Sequence, residues 1–253
     1  MQIYNIFRFP GQVNLYFSTG LPEQIIIQFF CVFFVSSPFE IFRMTGIKNI
    51  VFDFGGVLID LDRNACINAF IRLGMKDVDE YLSDYKPTNI FRKLETGEIS
   101  PEQFRHEIRC ITKKSLSNKE IDNAWLVLLL DVPDEKLEML LTLRKNYRVF
   151  MLSNTNAIHI DNILRKTFDR NGHVFDDYFE KAYFSYQIGY VKPDKDIFEF
   201  MLNDAGIKAE ETLFIDDSEI NIITAKGMGF KTFQPKPLED FSGIFENPDF
   251  LNF

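Results

Sequence analysis

The sequence has few cysteines and no surplus of positive charge, and each shortage excludes a class of protein. Its three cysteines, Cys31, Cys66 and Cys110, show no Cys-x-x-Cys spacing, so neither a disulfide framework nor a zinc site is indicated. Lysine and arginine total 28 against 37 aspartates and glutamates, a formal net charge of −9, and no basic run is dense. Nucleic acid is therefore not expected as a partner, and a reducing cytoplasm is the expected location.

The sequence also lacks an apolar run that could cross a bilayer as a helix. The apolar stretch at residues 25–35 is interrupted by Gln28 and is shorter than the roughly 18 residues required. It belongs to a phenylalanine-rich leader, residues 1–43, whose composition differs from the rest. One interpretation is a cleaved secretory signal. The other, which we favour, is that Met44 is the biological start and that the leader is spurious or disordered.

The composition of the chain is that of a globular protein with a sizeable core. It has 253 residues, of which 46% are hydrophobic and 26% charged, enough for one large domain with an insertion. From residue 47 onward, short apolar runs alternate with helical patterns, which predicts an α/β fold with a parallel sheet covered on both faces. The predicted strands span residues 47–52, 148–152, 182–184, 212–215 and 231–233.

Almost a hundred residues separate the first two predicted strands without a strand-like run. This length is too great for a simple crossover, and its regular patterns predict an inserted helical subdomain. Capping-box patterns at Ser100 and Ser117 predict two helix starts within it, and Trp125 lies on an apolar stripe that we expect to be core. The main domain is thus predicted over residues 44–62 and 133–240, and the helical insertion over residues 63–132.

Carboxylates follow two of the predicted strands at their carboxyl ends. Asp53 comes directly after the first strand, and Asp216 and Asp217 come directly after the fourth. Open α/β sheets bind their ligands beyond this edge. Adjacent aspartates repel each other unless a cation or hydrogen-bond donors compensate. The pair could be a structural cap, but together with Asp53 it supplies the oxygen ligands that Mg²⁺ takes, so a magnesium site is predicted.

Donors for a phosphoryl group lie at the same predicted edge. Ser153 and Asn154 follow the second strand and offer neutral hydrogen-bond donors. Lys192, directly before Pro193, offers a compact cation in a loop that precedes a helix. A surface lysine is the ordinary alternative for Lys192 alone. The three residues together predict binding of a small phosphorylated metabolite.

Four segments, residues 50–58, 152–156, 189–194 and 214–218, resemble in order and spacing the four signature motifs of the haloacid dehalogenase superfamily. The insertion resembles the type 1 helical cap of that family. The residues of these motifs are similar in particular to those of a subgroup that includes alpha-D-glucose-1-phosphate phosphatase. The resemblance implies a Rossmann-like core and a magnesium-dependent hydrolase of phosphoric monoesters.

The resemblance also implies roles for the residues at the sheet edge. Asp53 matches the nucleophile that forms a phospho-aspartyl intermediate. Asp217 matches the direct magnesium ligand, and Asp216 matches the neighbouring acid that acts through water. Ser153 matches the phosphate-binding hydroxyl, and Lys192 matches the lysine that balances charge around nucleophile and phosphate.

Gly55 departs from the pattern of the family. Family phosphatases usually carry a second aspartate at this position, which acts as general acid and base and lends its backbone carbonyl to the metal. The carbonyl of Gly55 remains, but the acid is missing, and general acid–base catalysis is typically worth about 10²–10⁴-fold. We therefore expect a slower enzyme that prefers phosphates with an acidic leaving hydroxyl, such as anomeric sugar phosphates, over sugar 6-phosphates.

Substrate recognition is expected to come from the insertion, because the core motifs contact only phosphate. The candidates lie at one helix end and its loop: Phe91, Arg92, Glu95, Gly97 and Glu98. A solvated helix end is the alternative. His159 invites a proton-transfer role, although a surface histidine is the commoner finding.

The function predicted from the sequence is a Mg²⁺-dependent phosphatase of a small phosphate monoester, with a sugar phosphate as the expected substrate. Two alternatives remain. A 2-haloacid dehalogenase would use the same aspartate on carbon and needs no metal, and a non-catalytic binding module would keep the fold alone. The oligomeric state is not predicted.

Overall fold

The computed structural model describes residues 8–9, 12–13, 44–83, 89–236 and 239–246. The chain divides into two compact units, Met1–Pro38 and Phe39–Phe253. In the first, β1 (Arg8–Phe9) pairs antiparallel with β2 (Gln12–Val13). The apolar stretch at residues 25–35 lies outside the described residues. Among the helices that are described, none is both long and apolar enough to cross a membrane.

The second unit is built on a sheet of five parallel strands in the order β5-β4-β3-β6-β7. The central strand β3 is almost entirely apolar and fully enclosed, as expected of a strand covered on both faces. The parallel α/β sheet predicted from the sequence is confirmed. The strands are β3 (Asn49–Phe52), β4 (Arg148–Ser153), β5 (Lys181–Phe184), β6 (Thr212–Ile215) and β7 (Lys231–Phe233).

Alternate residues of β3 point into two separate hydrophobic cores, one on each face of the sheet. Ile50 and Phe52 belong to one core, and Val51 belongs to the other. The ring of Phe241 stacks on that of Phe52 and the ring of Phe245 lies tilted against it, so packing on the first face continues beyond residue 240. The helices of this part are α6 (Asp134–Leu143), α7 (Ala157–Phe168), α8 (Phe175–Tyr178), α9 (Ser185–Ile188), α10 (Lys195–Ala205) and α11 (Glu219–Gly227), with 3₁₀ turns at Ala209–Glu211 and Ser242–Glu246.

The described part of the insertion contains five helices that share a hydrophobic core, to which α7 contributes Ile158. Ser100 and Ser117 form the predicted capping boxes, and Trp125 is buried as predicted. Phe91 packs edge-on against Trp125 and Phe104. The expectation that Phe91 reaches a substrate is therefore wrong, because its ring is enclosed. The helices are α1 (Arg63–Leu73), α2 (Val78–Ser83), α3 (Ile90–Glu95), α4 (Pro101–Thr112) and α5 (Asn118–Leu126).

The two linkers that join the insertion to the sheet are hydrogen-bonded to each other. The amide of Asp62 donates to the carbonyl of Leu128 at 2.8 Å, and the amide of Leu130 donates to the carbonyl of Asp60 at 3.0 Å. Leu61 between them makes an antiparallel bridge with the opposite linker. The side chain of Asp62 caps α1 by accepting from the amide of Ala65 at 2.8 Å. The division of the chain into the two predicted domains stays a prediction.

Candidate active site

The three predicted carboxylates come together where β3 and β6 end side by side. Phe52 and Ile215 are register partners, and the amide of Asp53 extends the pairing by donating to the carbonyl of Ile215 at 2.8 Å. Asp53 and the pair Asp216–Asp217 therefore leave the sheet at the same point. Carboxylate oxygens of all three lie within 4.8 Å of one another. This distance is short enough for one cation to contact all three groups.

Lys192 lies inside this cluster and is almost fully buried, with 1% of its surface exposed. Its ammonium contacts Asp53 Oδ1 at 2.8 Å and Asp216 Oδ2 at 2.6 Å, and it donates to the carbonyl of Leu152 at 2.9 Å. Burial alone would lower the pKa of Lys192, but the two carboxylates raise it above its usual value. Lys192 is therefore a fixed positive charge between two acids.

Asp216 is held by more donors than its place in the sequence suggests. Besides Lys192, its carboxylate accepts from the amide of Ser218 at 2.9 Å and from the side chain of Asn221 at 2.9 and 3.1 Å. Four donor contacts leave Asp216 well satisfied by the protein. Asn221 is not among the residues predicted from the sequence. Its only signal is a polar residue on the buried side of α11, which is too common a feature to identify a site.

Asp217 is less buried than Asp53 and Asp216, and its carboxylate lies against the backbone of Gly56. Gly56 has φ of +78°, and a Cβ there would lie 2.4 Å from Asp217 Oδ2. A side chain at position 56 would therefore displace the carboxylate as well as strain the backbone. On the other side, Gln234 donates to the carbonyl of Asp217 at 2.9 Å. Gly56 thus leaves the space that the Asp217 carboxylate occupies, and Gln234 fixes the backbone of Asp217.

The charges of the site favour a divalent cation. Burial raises the pKa of Asp53 to about 7, although Lys192 opposes the rise. Burial, together with the charge of Asp216, also raises the pKa of Asp217. Three carboxylates also lie beside a single ammonium, so in their ionised form they carry more negative charge than that ammonium compensates. A magnesium ion takes oxygen ligands and would neutralise the difference, so the residues present fit this ion.

The second loop of the site is tied to the loop that carries Lys192. Asn154 donates from Nδ2 to the carbonyl of Lys192 at 2.9 Å and accepts its amide on Oδ1 at 2.8 Å. Thr155 is fixed in turn by the hydroxyl of Ser185. Ser153 ends β4 and is buried, and its hydroxyl makes no hydrogen bond to any part of the chain that the structure describes. The Asn154 side chain is thus occupied, and the Ser153 hydroxyl is available.

Gly55 brings no acid to the site, and its nearest neighbour is apolar. It lies outside the left-handed region of φ, so its backbone does not require glycine. A Cβ at this position would meet Leu61 Cδ1 at 3.4 Å, an ordinary contact distance. A side chain at position 55, two residues after Asp53, would therefore lie against Leu61.

One face of α3 is turned toward the sheet domain. Arg92 reaches Asp194, two residues after Lys192, at 3.6 Å. Just after the helix, Gly97 packs so closely on α9 that a Cβ would lie 2.3 Å from the carbonyl oxygen of Tyr186. Glu95 follows Arg92 by three residues and therefore shares its side of the helix. The predicted recognition residues Arg92 and Glu95 thus face the seam between insertion and sheet.

Glu95 is a partly buried acid, and among the described residues it has no hydrogen-bond or ion-pair partner. Burial raises the pKa of Glu95 to about 7, and Arg92 only partly opposes this. Because the folded protein binds this proton more tightly than the unfolded chain, folding stability falls as pH rises from about 4.5 to about 7. The loss is at most about 3 kcal/mol.

Replacing Glu95 by glutamine should remove this penalty. We expect E95Q to be more stable than the wild type by up to about 3 kcal/mol at pH 8, and by much less at pH 5. Urea unfolding at the two pH values measures the difference. E98Q, at a nearby exposed glutamate, is the matched control and should not change the free energy of unfolding. Equal stability of E95Q and wild type at pH 8 would show that the carboxylate is well solvated.

His159 is not a surface residue, because its ring is enclosed between α7 and α5. It is 5% exposed, its ring lies 4.5 Å from that of Trp125, and its Nε2 is 3.3 Å from the Trp125 carbonyl oxygen. Burial lowers the pKa of His159 to about 4. The expectation of a solvated histidine is wrong, because α7 packs here against α5 of the insertion. His159 joins the two parts of the molecule.

Comparisons with known proteins agree with this geometry. A model of the haloacid dehalogenase-like hydrolase family matches residues 47–229. The chain is 44% identical, over 75% of its length and 92% of the relative, to a D-ribitol-5-phosphate phosphatase of Bacteroides thetaiotaomicron. A crystal structure of a haloacid dehalogenase family enzyme from the same species, in complex with magnesium and inorganic phosphate, is 44% identical and superimposes with a TM-score of 0.75, covering 79% of this chain and 99% of that one.

A further similar structure is a predicted hydrolase of this family from Porphyromonas gingivalis. It is 41% identical, has a TM-score of 0.72, and the match covers 77% of this chain and 94% of that one. The sequence relationship is thus close and spans nearly the whole of each relative. The resemblance inferred from the four motifs is confirmed: the chain belongs to the haloacid dehalogenase-like hydrolase family.

Proposed function

We propose that the protein is a cytoplasmic, Mg²⁺-dependent phosphatase that hydrolyses a small sugar or polyol phosphate through a phospho-aspartyl intermediate. The observation that carries this proposal is the contact of one buried ammonium, that of Lys192, with both Asp53 and Asp216. This contact places a potential nucleophile, a fixed cation and a cation-binding group within one cluster. The identity of 44% to a phosphatase supports it.

The hydrogen bonds of Asp53 indicate which of its oxygens attacks. Oδ1 accepts from the amide of Phe54 at 2.7 Å and contacts the Lys192 ammonium at 2.8 Å. Oδ2 is therefore the oxygen left to attack phosphorus. In the first step the bond from Oδ2 to phosphorus forms as the bond from phosphorus to the substrate oxygen breaks. In the second step water attacks the same phosphorus and releases phosphate, which restores the Asp53 carboxylate.

The other residues bind and orient the phosphoryl group. We assign the Ser153 hydroxyl and the Lys192 ammonium to its oxygens, since the hydroxyl is unoccupied and the ammonium is already beside Oδ1 of Asp53. Asn154, predicted from the sequence as a substrate donor, instead positions Lys192 through its two backbone hydrogen bonds. Since Gly55 offers no acid, the leaving oxygen takes its proton from water.

Magnesium would be held by Asp53, Asp217 and the backbone carbonyl of Gly55, with Asp216 acting through a water molecule. The hydrogen bonds of Asp216 to Lys192, Ser218 and Asn221 support this indirect role. When bound, Mg²⁺ neutralises charge on the phosphoryl oxygens during attack. The protein contributes the fixed oxygen ligands and the turn at Gly56 that admits the Asp217 carboxylate.

Two substrate classes follow from different observations. The D-ribitol-5-phosphate phosphatase relative favours an alditol phosphate, and the absence of an acid at Gly55 favours an anomeric sugar phosphate. Arg92 and Glu95 at the seam offer charged groups for the hydroxyls of either class. Cys66 and Cys110 are free thiols, which supports a reducing compartment. A dehalogenase needs no metal, so the cluster of three carboxylates, which favours a bound cation, argues against a dehalogenase.

Phosphate release from a panel of esters tests the proposal. With Mg²⁺ we expect turnover of D-ribitol 5-phosphate or of alpha-D-glucose 1-phosphate to exceed that of D-glucose 6-phosphate by at least about tenfold. Addition of EDTA should reduce turnover by at least about 100-fold, since a metal supplies several kcal/mol of charge stabilisation. Halide release from chloroacetate in EDTA is the control reaction and should be absent. Halide release without phosphate release would establish a dehalogenase instead.

A further inference from the structure

Lys136 is a buried cation in an unfavourable position that the proposed mechanism does not use. It is 7% exposed and lies in the first turn of α6. Burying an ammonium is costly, and the partial positive charge at a helix N-terminus disfavours a second positive charge there. Both costs act against a lysine at this position. Its surroundings must therefore compensate.

The contacts of Lys136 point to one loop. Its ammonium donates to the carbonyl of Val57 at 2.7 Å and lies 3.7 Å from Asp60 Oδ1. The ring of Phe241 lies beneath it at 5.7 Å. Val57 is fully buried, so without the lysine its carbonyl would have no access to water. The strongest contact of Lys136 is thus with the loop that follows Asp53.

This loop is a closed turn, and its backbone faces both Lys136 and the proposed metal site. The amides of Leu58 and Ile59 donate to the carbonyl of Phe54, and the amide of Gly56 donates to the carbonyl of Ile59. Those bonds leave the carbonyl of Val57 to Lys136. One residue earlier, Gly56 lies against the Asp217 carboxylate. A shift of Val57 would therefore be passed to Gly56 and its neighbour Gly55.

We infer that Lys136 is a positioning residue, which anchors the Val57 carbonyl and thereby fixes Gly55 and Gly56 against Asp217 for metal binding. The inference rests on the proposed function, because it assigns Mg²⁺ to this site. A purely structural lysine would affect the free energy of unfolding alone. A positioning residue also affects the dissociation constant of Mg²⁺, since the ligand oxygens lose their fixed arrangement.

Calorimetric titration of the substrate-free protein with MgCl₂ tests the inference without measuring turnover. K136M should weaken Mg²⁺ binding by about 10–100-fold, the usual effect of losing an outer partner of a metal site. Its kcat should fall, while KM for the phosphate ester at saturating Mg²⁺ stays within about twofold. K136R keeps a cation with several donors and should restore most of the affinity. K145M, at an exposed lysine just beyond the same helix, is the control and should match the wild type.

A second variant, K136Q, tests the inference if K136M does not fold. Its amide is polar but one bond too short to place a donor at the same point, so the same weakening is expected. Wild-type Mg²⁺ affinity in either folded variant would overturn the inference. If the wild type itself neither binds Mg²⁺ nor releases phosphate, the proposed function has failed. If the wild type does both and the variants match it, only the role of Lys136 has failed.

Discussion

Replacement of Asp53 by asparagine is expected to reduce phosphate release by about 10⁴–10⁶-fold, the scale on which loss of a catalytic nucleophile acts. The amide is nearly isosteric, and its uncharged oxygen cannot form the acyl phosphate. The fold should be kept. Burial disfavours the charged form of Asp53, as its raised pKa indicates, so removing the charge should not destabilise the folded protein.

Two measurements distinguish loss of the nucleophile from loss of the folded structure. The thermal midpoint of D53N should equal or exceed that of the wild type. Rapid acid quench with ³²P-labelled substrate should trap phosphoprotein in the wild type and none in D53N. D169N, at an exposed aspartate, is the control and should keep full turnover. Undiminished phosphate release by D53N would exclude Asp53 as the nucleophile.

Replacement of Lys192 by methionine is expected to cost both activity and stability. The ammonium is the cation that Asp53 and Asp216 share, and both acids are buried. Removing one partner from a buried ion pair typically costs about 3–5 kcal/mol, because the remaining charge loses its compensation. For a chain of this size that corresponds to a fall of roughly 6–20 °C in the thermal midpoint. Calorimetry in EDTA measures the change.

A second substitution shows whether charge is the cause. K192M leaves Asp53 and Asp216 without their shared cation. The double variant K192M/D216N removes one of these two charges and should recover part of the lost stability, whereas phosphate release should remain low. K195M, at an exposed lysine three residues away, should have the wild-type thermal midpoint. A midpoint of K192M within about 2 °C of the wild type would contradict the buried ion pair.

The sheet and its functional edge were predictable because both depend on local patterns. The run at Thr212–Ile215 is entirely apolar or β-branched and is followed by Asp216, the short run at Lys231–Phe233 contains a β-branched and an aromatic residue, and both strands have the predicted bounds. Parallel strands place their carboxyl ends at one edge, so Asp53 and Asp216 had to be neighbours once their strands paired. The capping boxes at Ser100 and Ser117 are equally local.

Contacts between distant segments could not be predicted. Asn154 and Lys192 are joined through backbone groups, which carry no signal in the sequence. The stacking of His159 on Trp125 depends on how the insertion packs on α7, and no pattern in either segment shows it. The strand order likewise follows from packing of the whole sheet. Sequence patterns therefore predict which residues leave the strands, and tertiary packing decides what they touch.

The paired linkers at Asp60–Asp62 and Leu128–Leu130 bring the two ends of the insertion together. Chain exit and chain return lie on adjacent antiparallel segments, about 5 Å apart in such a pairing. A two-residue hairpin turn closes that gap without moving the sheet. Segments of very different length can be accommodated at the same junction, since loop-closure entropy grows only slowly with length. A shorter or longer segment at this junction would therefore leave the sheet and the carboxylates at its edge in place.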